Sequence, residues 1–448
     1  MAYRLPTTMC TTCGTKLLPK RCWRYYAALV VLFPPYMMSS LWQRVLGPAT
    51  VAWEGKAAVL LRLPAKVSEA NLHCLLELED GCQRSWQCPV DELPIKDIAS
   101  VEGNQYVVRK LALSDRLPPG YHRLKLELYG GQEESLIISA PESAFPNKLR
   151  AWGAFLPLYA LYTGQSWGGG DYRDMEALAN WLSDMGAQVI AALPLLATFP
   201  NDASPYLPVS RLMWNELYIT VDRVPELAVC PKAQVLLQSS LVLDEIETLR
   251  RLPLVDYRRQ TGLKRKVLEE LCRHLFREPS HRLESLKRFA RSHLEVEDYA
   301  RFRAAGEEQG SGWQDWPHPL REGKLSAGDF NQETQLYYLY VQWLAHQQME
   351  QLSKKVIGAG LRLYLDLPLG VHPDGYDSWR QRSKFIAGAS AGAPPDVVFT
   401  RGQDWTFSPM HPDNIRAHGY QHITGYLRHH LRYANILRLD HVMGLHRL

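Results

Sequence analysis

Two carboxylates follow short apolar runs. Leu361-Arg362-Leu363-Tyr364-Leu365 leads into Asp366-Leu367-Pro368, and Ile436-Leu437-Arg438-Leu439 leads into Asp440-His441. Runs of this composition read as β-strands. In a barrel of alternating strands and helices, a carboxylate at the C-terminal end of a strand is aimed into the site. For a lone Asp in that position, a helix cap or loop anchor is the more ordinary use. Arg438 alters the balance, because it lies two residues before Asp440 and so on the same face of the strand. A guanidinium there lowers the carboxylate's pKa and keeps it ionised, as a nucleophile at neutral pH requires.

Two loops carry further candidates. Gly392-Ala393-Pro394-Pro395-Asp396 is followed by Gly402-Gln403-Asp404-Trp405. The prolines restrict the backbone near Asp396, the glycines permit close approach, and Trp405 offers a flat face for stacking. Upstream, Ser204-Pro205-Tyr206 precedes Ser210-Arg211 and Asn215-Glu216-Leu217-Tyr218-Ile219. Tyr206 has the shape to stack on a sugar ring, and Ser204 and Asn215 the groups to hydrogen-bond one, although each taken singly is more often structural. The 13 Trp and 22 Tyr of the 448-residue chain fit either carbohydrate clefts or a large core.

The elements that must position these residues change character along the chain. Residues 1–48 have no clear period and read as a leader of uncertain structure. From 49 to 146, strand-like runs (Ala57–Leu61, Leu75–Leu78, Tyr106–Val108, Leu124–Leu128, Leu136–Ile138) alternate with turn formers, as in a small antiparallel sandwich. From 147 to 448 strands and helices alternate: a buried strand over Trp152–Leu158, a helix over Tyr172–Met185, a strand over Gln188–Leu195, and strands ending at Asp366 and Asp440. Residues 230–355 read as a helical insertion.

Composition narrows the class. A net charge of +4, from 51 basic and 47 acidic side chains, is too balanced to suggest a nucleic-acid binder, and no long basic run stands out. Lys20, Arg21 and Arg24 precede the short apolar run Ala27–Phe33 in the order of a targeting signal, but Pro34 and Pro35 end the run before it could span a bilayer and no small-x-small cleavage site follows, so the segment reads as a leader and not as a signal peptide. Eight cysteines without a framework read as reduced thiols of a cytoplasmic protein, and the Cys10-x-x-Cys13 pair lacks the second ligand pair a zinc knuckle needs.

Taken in order, Trp152-Gly153 to Asp174, Ser204-Pro205-Tyr206 with Ser210-Arg211 and Asn215, Asp366-Leu367-Pro368-Leu369-Gly370-Val371, the Gly-Ala-Pro-Pro-Asp loop, Gly402-Gln403-Asp404-Trp405 and Leu437–Leu445 resemble the 4-α-glucanotransferases of the α-amylase clan. Leu117–Leu124 resembles the β-domain that precedes the barrel in the bacterial long form. The resemblance implies a (β/α)₈ barrel after a β-sandwich-like domain, with about the first half of the barrel present.

Further implications concern chemistry. Asp440 would form a covalent glucosyl intermediate, Arg438 would hold it ionised, and Asp366 and His441 would shape the site around the sugar. Tyr206 would stack on that sugar, and Trp405 would help hold the acceptor. Asp396, Gln403, Ser204 and Asn215 complete the expected binding set. Donors would be α-1,4-glucans and maltooligosaccharides and acceptors glucose or glucan, with no metal, cofactor, nucleic acid or membrane partner.

Two features depart from the family pattern: Thr406-Phe407-Ser408-Pro409 after Trp405, and Asp374-Gly375-Tyr376-Asp377 after Val371. Retaining transfer needs a second carboxyl about 5–5.5 Å from the nucleophile, and the resemblance places that acid/base Glu downstream of residue 448. The expectation is therefore that the 448-residue chain alone is inactive and poorly soluble. A hydrolase of the same clan and a non-catalytic glucan-binding remnant stand as alternatives.

Overall fold

The computed structural model describes residues 44–445 except 66–70, 114–115, 129–130, 145–149 and 203. The targeting-signal and Cys10/Cys13/Cys22 expectations lie outside the described residues. The chain divides into two compact units at residue 146/147.

Among the described residues, the first unit holds eight strands: β1 (Ala49–Trp53), β2 (Ala58–Pro64), β3 (Asn71–Glu77), β4 (Gln83–Pro89), β5 (Ile95–Val101), β6 (Asn104–Ala112), β7 (Gly120–Leu128) and β8 (Gly131–Ala140). They form a five-stranded sheet, β1-β8-β7-β3-β4, and a three-stranded sheet, β2-β6-β5. Apolar residues alternate along each inner strand, so Val59, Leu61, Leu63, Leu72, Cys74, Leu76, Leu124, Leu126 and Ile137 meet in one core. The expected purely antiparallel arrangement needs correction, because β1 pairs parallel with β8. The chain leaves β1 for the other sheet before returning, and only such a crossover sets neighbours parallel. Strands β4 and β5 escape the sequence reading because both are sheet edges with mostly exposed side chains, so no buried alternation marks them.

The second unit is α/β. Strands β9 (Gly153–Leu156), β10 (Val189–Ala192), β11 (Arg362–Leu367) and β14 (Ile436–Leu439) form a parallel sheet in the order β14-β11-β10-β9. A two-stranded antiparallel ribbon, β12 (Gly392–Ala393) and β13 (Gln403–Asp404), lies in the loop between β11 and β14. The expected buried strand over Trp152–Leu158 shortens to β9, with Phe155 55% exposed. It is an edge strand, hydrogen-bonded on one side to β10.

Helix α1 (Tyr172–Asp184) joins β9 to β10 and starts at a capping box in which Asp171 and Asp174 bond each other's backbone N–H. Asp174 is buried and also accepts from Thr163 and Ser166, so the glycine-rich segment before it is tied to the helix start. Between β10 and β11 come α2 (Pro231–Gln238), α3 (Ser240–Arg251), α4 (Tyr257–Arg277), α5 (His281–Ser292), α6 (Leu294–Gln309), α7 (His318–Arg321) and α8 (Gln332–Gly358). The last is no part of an inserted lobe. Its 27 residues, about 40 Å, run back along α1 and β11 and form the crossover that makes β10 and β11 parallel. Helices α9 (Tyr376–Arg380), α10 (Pro412–Ala417) and α11 (Gln421–Leu431) lie between β11 and β14. No helix among the described residues is long and apolar enough to cross a membrane.

Helices α8 and α11 meet over a group of buried imidazoles around Trp214. His430 is 1% and His346 6% exposed, and their rings lie 5.7 and 6.4 Å from that of Trp214. Burial pushes the His346 pKa down to about 3 and that of His430 to about 4. Two turns nearer the start of α11, burial pushes His422 to about 2. An unfolded imidazole titrates near 6.5, so below that pH the unfolded chain binds protons that the folded chain refuses. Stability is fully present above about pH 6.5 and is lost as pH falls, by up to ~1.4 kcal/mol per pH unit for each histidine. Urea midpoints should be flat from pH 8 to about 7 and fall steadily below 6.5. In His346→Gln the slope should be shallower.

Candidate active site

Asp366 and Arg438 are direct partners across the β11–β14 ladder, and the amide of Asp440 extends that ladder by donating to the carbonyl of Leu367 at 3.0 Å. From this register Arg438 reaches both carboxylates. Its Nη1 donates to the two carboxylate oxygens of Asp366, both at 2.7 Å, and its Nη2 donates to Oδ1 of Asp440 at 2.7 Å. The Tyr206 hydroxyl donates to Oδ2 of Asp366 at 2.7 Å and accepts from Arg438 Nη1 at 3.4 Å. Charge-assisted bonds of this length are the strong kind, and the forked guanidinium fixes both carboxylates in one plane of contact.

The two carboxylates are not equivalent. The Asp366 side chain is 0% exposed and that of Asp440 27%. Burial raises the pKa of Asp366 above its ordinary value, opposed by the hydrogen bonds from Arg438 and Tyr206. Those bonds raise the Arg438 pKa, with the bond to Asp366 as the first cause, and burial raises the Tyr206 phenol to about 12. Among the described residues, Oδ2 of Asp440 has no hydrogen-bond partner, so one oxygen of the more open carboxylate stays unengaged. Asp366, with its side chain enclosed, anchors Arg438 and Tyr206 and so shapes the site through these two residues.

A second group forms around Trp405. Its ring meets His441 edge-on at 4.8 Å and stacks on Phe407 at 6.2 Å, and its Nε1 donates to Oε1 of Gln403 at 2.8 Å. His441 directly follows Asp440 and holds φ at +44°, a left-handed conformation that costs a non-glycine residue of order 1 kcal/mol. That turn sets the imidazole against Trp405 just past the carboxylate.

Three expected binding residues have structural work. Asn215 is buried, caps the turn that starts at Glu216 by accepting from the Leu217 amide, and donates to Thr198. Asp396 closes its own loop by accepting from the amides of Val398 and Phe399. Ser204 Oγ accepts from the Tyr206 amide at 3.4 Å and shapes the turn that presents the tyrosine.

The structure adds residues the sequence reading missed. Asp377 is buried and accepts from Ser210 Oγ at 2.6 Å and from the Arg211 amide at 3.0 Å, while Arg211 donates to the carbonyl of Leu369. His372 lies 3.4 Å from Asp202, and its amide donates to the carbonyl of Pro208. These bonds join the Tyr206 loop to the loop after Asp366. The sequence marks the Asp374–Asp377 segment only as a departure from the family pattern, and an Asp at the second position of a short helix carries no signal of a partner so distant in the chain.

Gly370 marks a close approach. A Cβ built there would lie 2.4 Å from the Phe407 ring, so the loop bearing Trp405 packs directly on the backbone after Asp366. Gly370→Ala should therefore cost about 1–3 kcal/mol by overpacking and lower the melting temperature by several degrees. Adding Phe407→Ala should restore much of the loss relative to Phe407→Ala alone, a non-additivity that a thermal-melt double-mutant cycle reads directly.

Comparison with known proteins follows the same two units. A model of the MalQ N-terminal beta sandwich domain matches residues 45–141, and the 4-alpha-glucanotransferase family model matches residues 156–448. The chain is 32% identical over 432 residues to the 4-alpha-glucanotransferase of Mycobacterium tuberculosis, covering 92% of this chain and 59% of that protein. It is 29% identical over 362 residues to that of Haemophilus influenzae, covering 74% and 51%. Among solved structures, the amylomaltase of Corynebacterium glutamicum superposes with a TM-score of 0.72 at 26% identity, over 96% of this chain and 59% of that one. The amylomaltase of Streptococcus agalactiae, in complex with acarbose, shares the fold, with a TM-score of 0.57 at 22% identity over 66% and 60%. The chain thus spans between half and three fifths of the length of these curated relatives. With 293 consecutive residues covered by the family model and its first unit covered by the companion sandwich domain, this chain belongs to the 4-alpha-glucanotransferase family.

Proposed function

We propose that the protein is a 4-α-glucanotransferase that moves a segment of an α-1,4-glucan to the 4-hydroxyl of glucose or another glucan. The observation that carries this reading is the Arg438 fork, which leaves Asp440 held at one oxygen and open at the other. In the first step Oδ2 of Asp440 attacks the anomeric carbon and the bond to the departing O4 breaks, with a proton delivered to that oxygen by a general acid. In the second, the acceptor hydroxyl gives up its proton to the same group and displaces Asp440, so configuration is retained. Tyr206, locked through its hydroxyl to Asp366, offers its ring to the sugar being transferred. Trp405 and His441 offer faces to the acceptor.

Asp366 is an unsuitable acid. Both of its oxygens are engaged by Arg438 and one also by Tyr206, so no edge of it is free to reach a leaving group. We assign the acid/base to a Glu on the stretch that follows residue 448 in the longer relatives, together with the strands that would close the four-stranded sheet into a (β/α)₈ barrel. The domain division at 48/49 and 146/147 and a cytoplasmic location belong to the same reading. Transfer is favoured over hydrolysis by the two aromatic faces beside Asp440, which suit a sugar acceptor better than water.

The test is disproportionation of maltotriose by the protein carrying the complete family length. Glucose and longer oligomers are expected, and reducing ends without elongation would favour the hydrolase. Asp440→Asn should lower kcat by at least ~10³-fold, and Arg438→Lys, which cannot fork between two carboxylates, by roughly 10²-fold. Full activity in Asp440→Asn would overturn the assignment.

A further inference from the structure

The sandwich unit carries two thiols that the transfer chemistry does not use. Strand β3 pairs antiparallel with β4 in the register Leu72↔Cys88, Cys74↔Trp86 and Leu76↔Arg84. Successive side chains of a strand point to opposite faces, so Leu72, Cys74, Trp86 and Cys88 share one face of the pair. That face is the core side. Cys74 is fully buried, while Trp86 and Cys88 pack against the same cluster and keep part of their surface in solvent.

Cys74 and Cys88 are diagonal neighbours across the two strands, and their thiols are hydrogen-bonded to each other. Burial is the first cause that raises both thiols, Cys74 to about 12. The bond between them adds to the rise at Cys74 and opposes it at Cys88, while the charge of Glu92 adds to the rise at Cys88. A thiolate on Cys88 therefore has a donor beside it. The thiolate is the reactive form of cysteine, and here it is favoured at the sulfur that solvent can reach.

Packing as a small apolar side chain is the ordinary use of a buried cysteine, and it would account for either residue singly. Two in contact, with one open to solvent, meet the requirements of a disulfide. Diagonal neighbours lie roughly 7–8 Å apart at Cα and closer at Cβ, just above the ~4.4–6.8 Å that disulfides usually span. Strand β4 can close that gap. It is the last strand of its sheet and is laddered to β3 alone among the described residues, so a small inward shift breaks no second ladder.

We propose that Cys74 and Cys88 form a reversible redox pair, closed to a disulfide by exchange with a low-molecular-weight disulfide. In the first step the Cys88 thiolate attacks one sulfur of the small disulfide. A mixed S–S bond forms, the original S–S bond breaks, and the departing thiolate takes up the proton that Cys88 gave to solvent. In the second step Cys74 loses its proton and attacks the Cys88 sulfur, the mixed bond breaks, and the second small thiol leaves protonated. Two electrons pass from the protein to the small disulfide, and two small thiols are released. Neither cysteine belongs to the Arg438 cluster, so the pair stands independently of the transfer reading.

The experiment incubates the reduced, native 448-residue chain with oxidised glutathione at about pH 8, near the ordinary thiol pKa. The sample is quenched with acid, unfolded, blocked with N-ethylmaleimide and mapped by peptide mass spectrometry. The expected product joins Cys74 to Cys88, lighter by two hydrogens, and dithiothreitol returns both thiols. Cys82, the exposed thiol in the loop between the two strands, serves as the control, and Cys82→Ser should leave the yield unchanged. Cys74→Ala should stop at Cys88 carrying one glutathione, and Cys88→Ala should leave Cys74 a free thiol. If Cys74→Ala fails to fold, Cys88→Ala, at the partly exposed position, carries the test. Recovery of both thiols unmodified from the native chain, or a bond from either of them to Cys82 in place of the pair, would overturn the proposal. So would a Cys74 that takes up glutathione in Cys88→Ala as readily as Cys88 does in Cys74→Ala.

Discussion

Arg438 is the charge on which the site depends. It stands on β14 opposite Asp366 on β11, and its planar fork divides between that buried carboxylate and the more open Asp440. Taking Asp366 out of water is costly unless a partner and hydrogen bonds compensate it. Arg438 and Tyr206 supply them, and in doing so each is fixed in place. One buried carboxylate thus orients the cation that steadies the exposed one, and the same bonds set the aromatic ring beside it.

The loops around this centre are held by contacts of backbone dimensions. Asp377 binds the Ser210–Arg211 segment, His372 ties Asp202 and Pro208, and Gly370 lets the Phe407 ring rest on the chain just past Asp366. Functional loops on rigid strand ends are a common arrangement, and here the stiffness comes from cross-loop bonds rather than from secondary structure. The strained turn at His441 fits the same pattern, since unfavourable backbone angles persist where the surroundings over-determine them. Helix α8 supplies the frame. Its packing on α1 and β11 places β11 beside β10, and the buried histidines where it meets α11 make that frame sensitive to acid.

Legibility in the sequence followed periodicity and chain distance. The four parallel strands were readable because each is a short apolar run bounded by breakers, and the inner sandwich strands because they alternate. Edge strands β4 and β5 were not, since mostly exposed strands of mixed polar composition have too little apolar alternation to read. The parallel pairing of β1 with β8 was hidden because no local pattern encodes a partner some ninety residues away. In the site, Asp440 and Arg438 were legible because an i, i+2 pair on a strand must share a face. The structural bonds of Asn215 and Asp396 were not legible, because a capping Asn and a turn-closing Asp have the same residue types as ligand contacts.

The sequence by itself determined the family, through motifs whose order along the chain is itself informative, together with the strand ends on which the carboxylates sit and the shared face of Arg438 and Asp440. Only the tertiary structure decided that Asp366 is the buried anchor and Asp440 the open partner. It alone placed Tyr206 against Asp366, His441 against Trp405, and the thiol of Cys74 against that of Cys88. The physical reason is that local spacing encodes which face a side chain occupies. Burial, by contrast, and with it whether a carboxylate is enclosed or keeps an open oxygen, depends on the register between β11 and β14, segments about seventy residues apart in the chain.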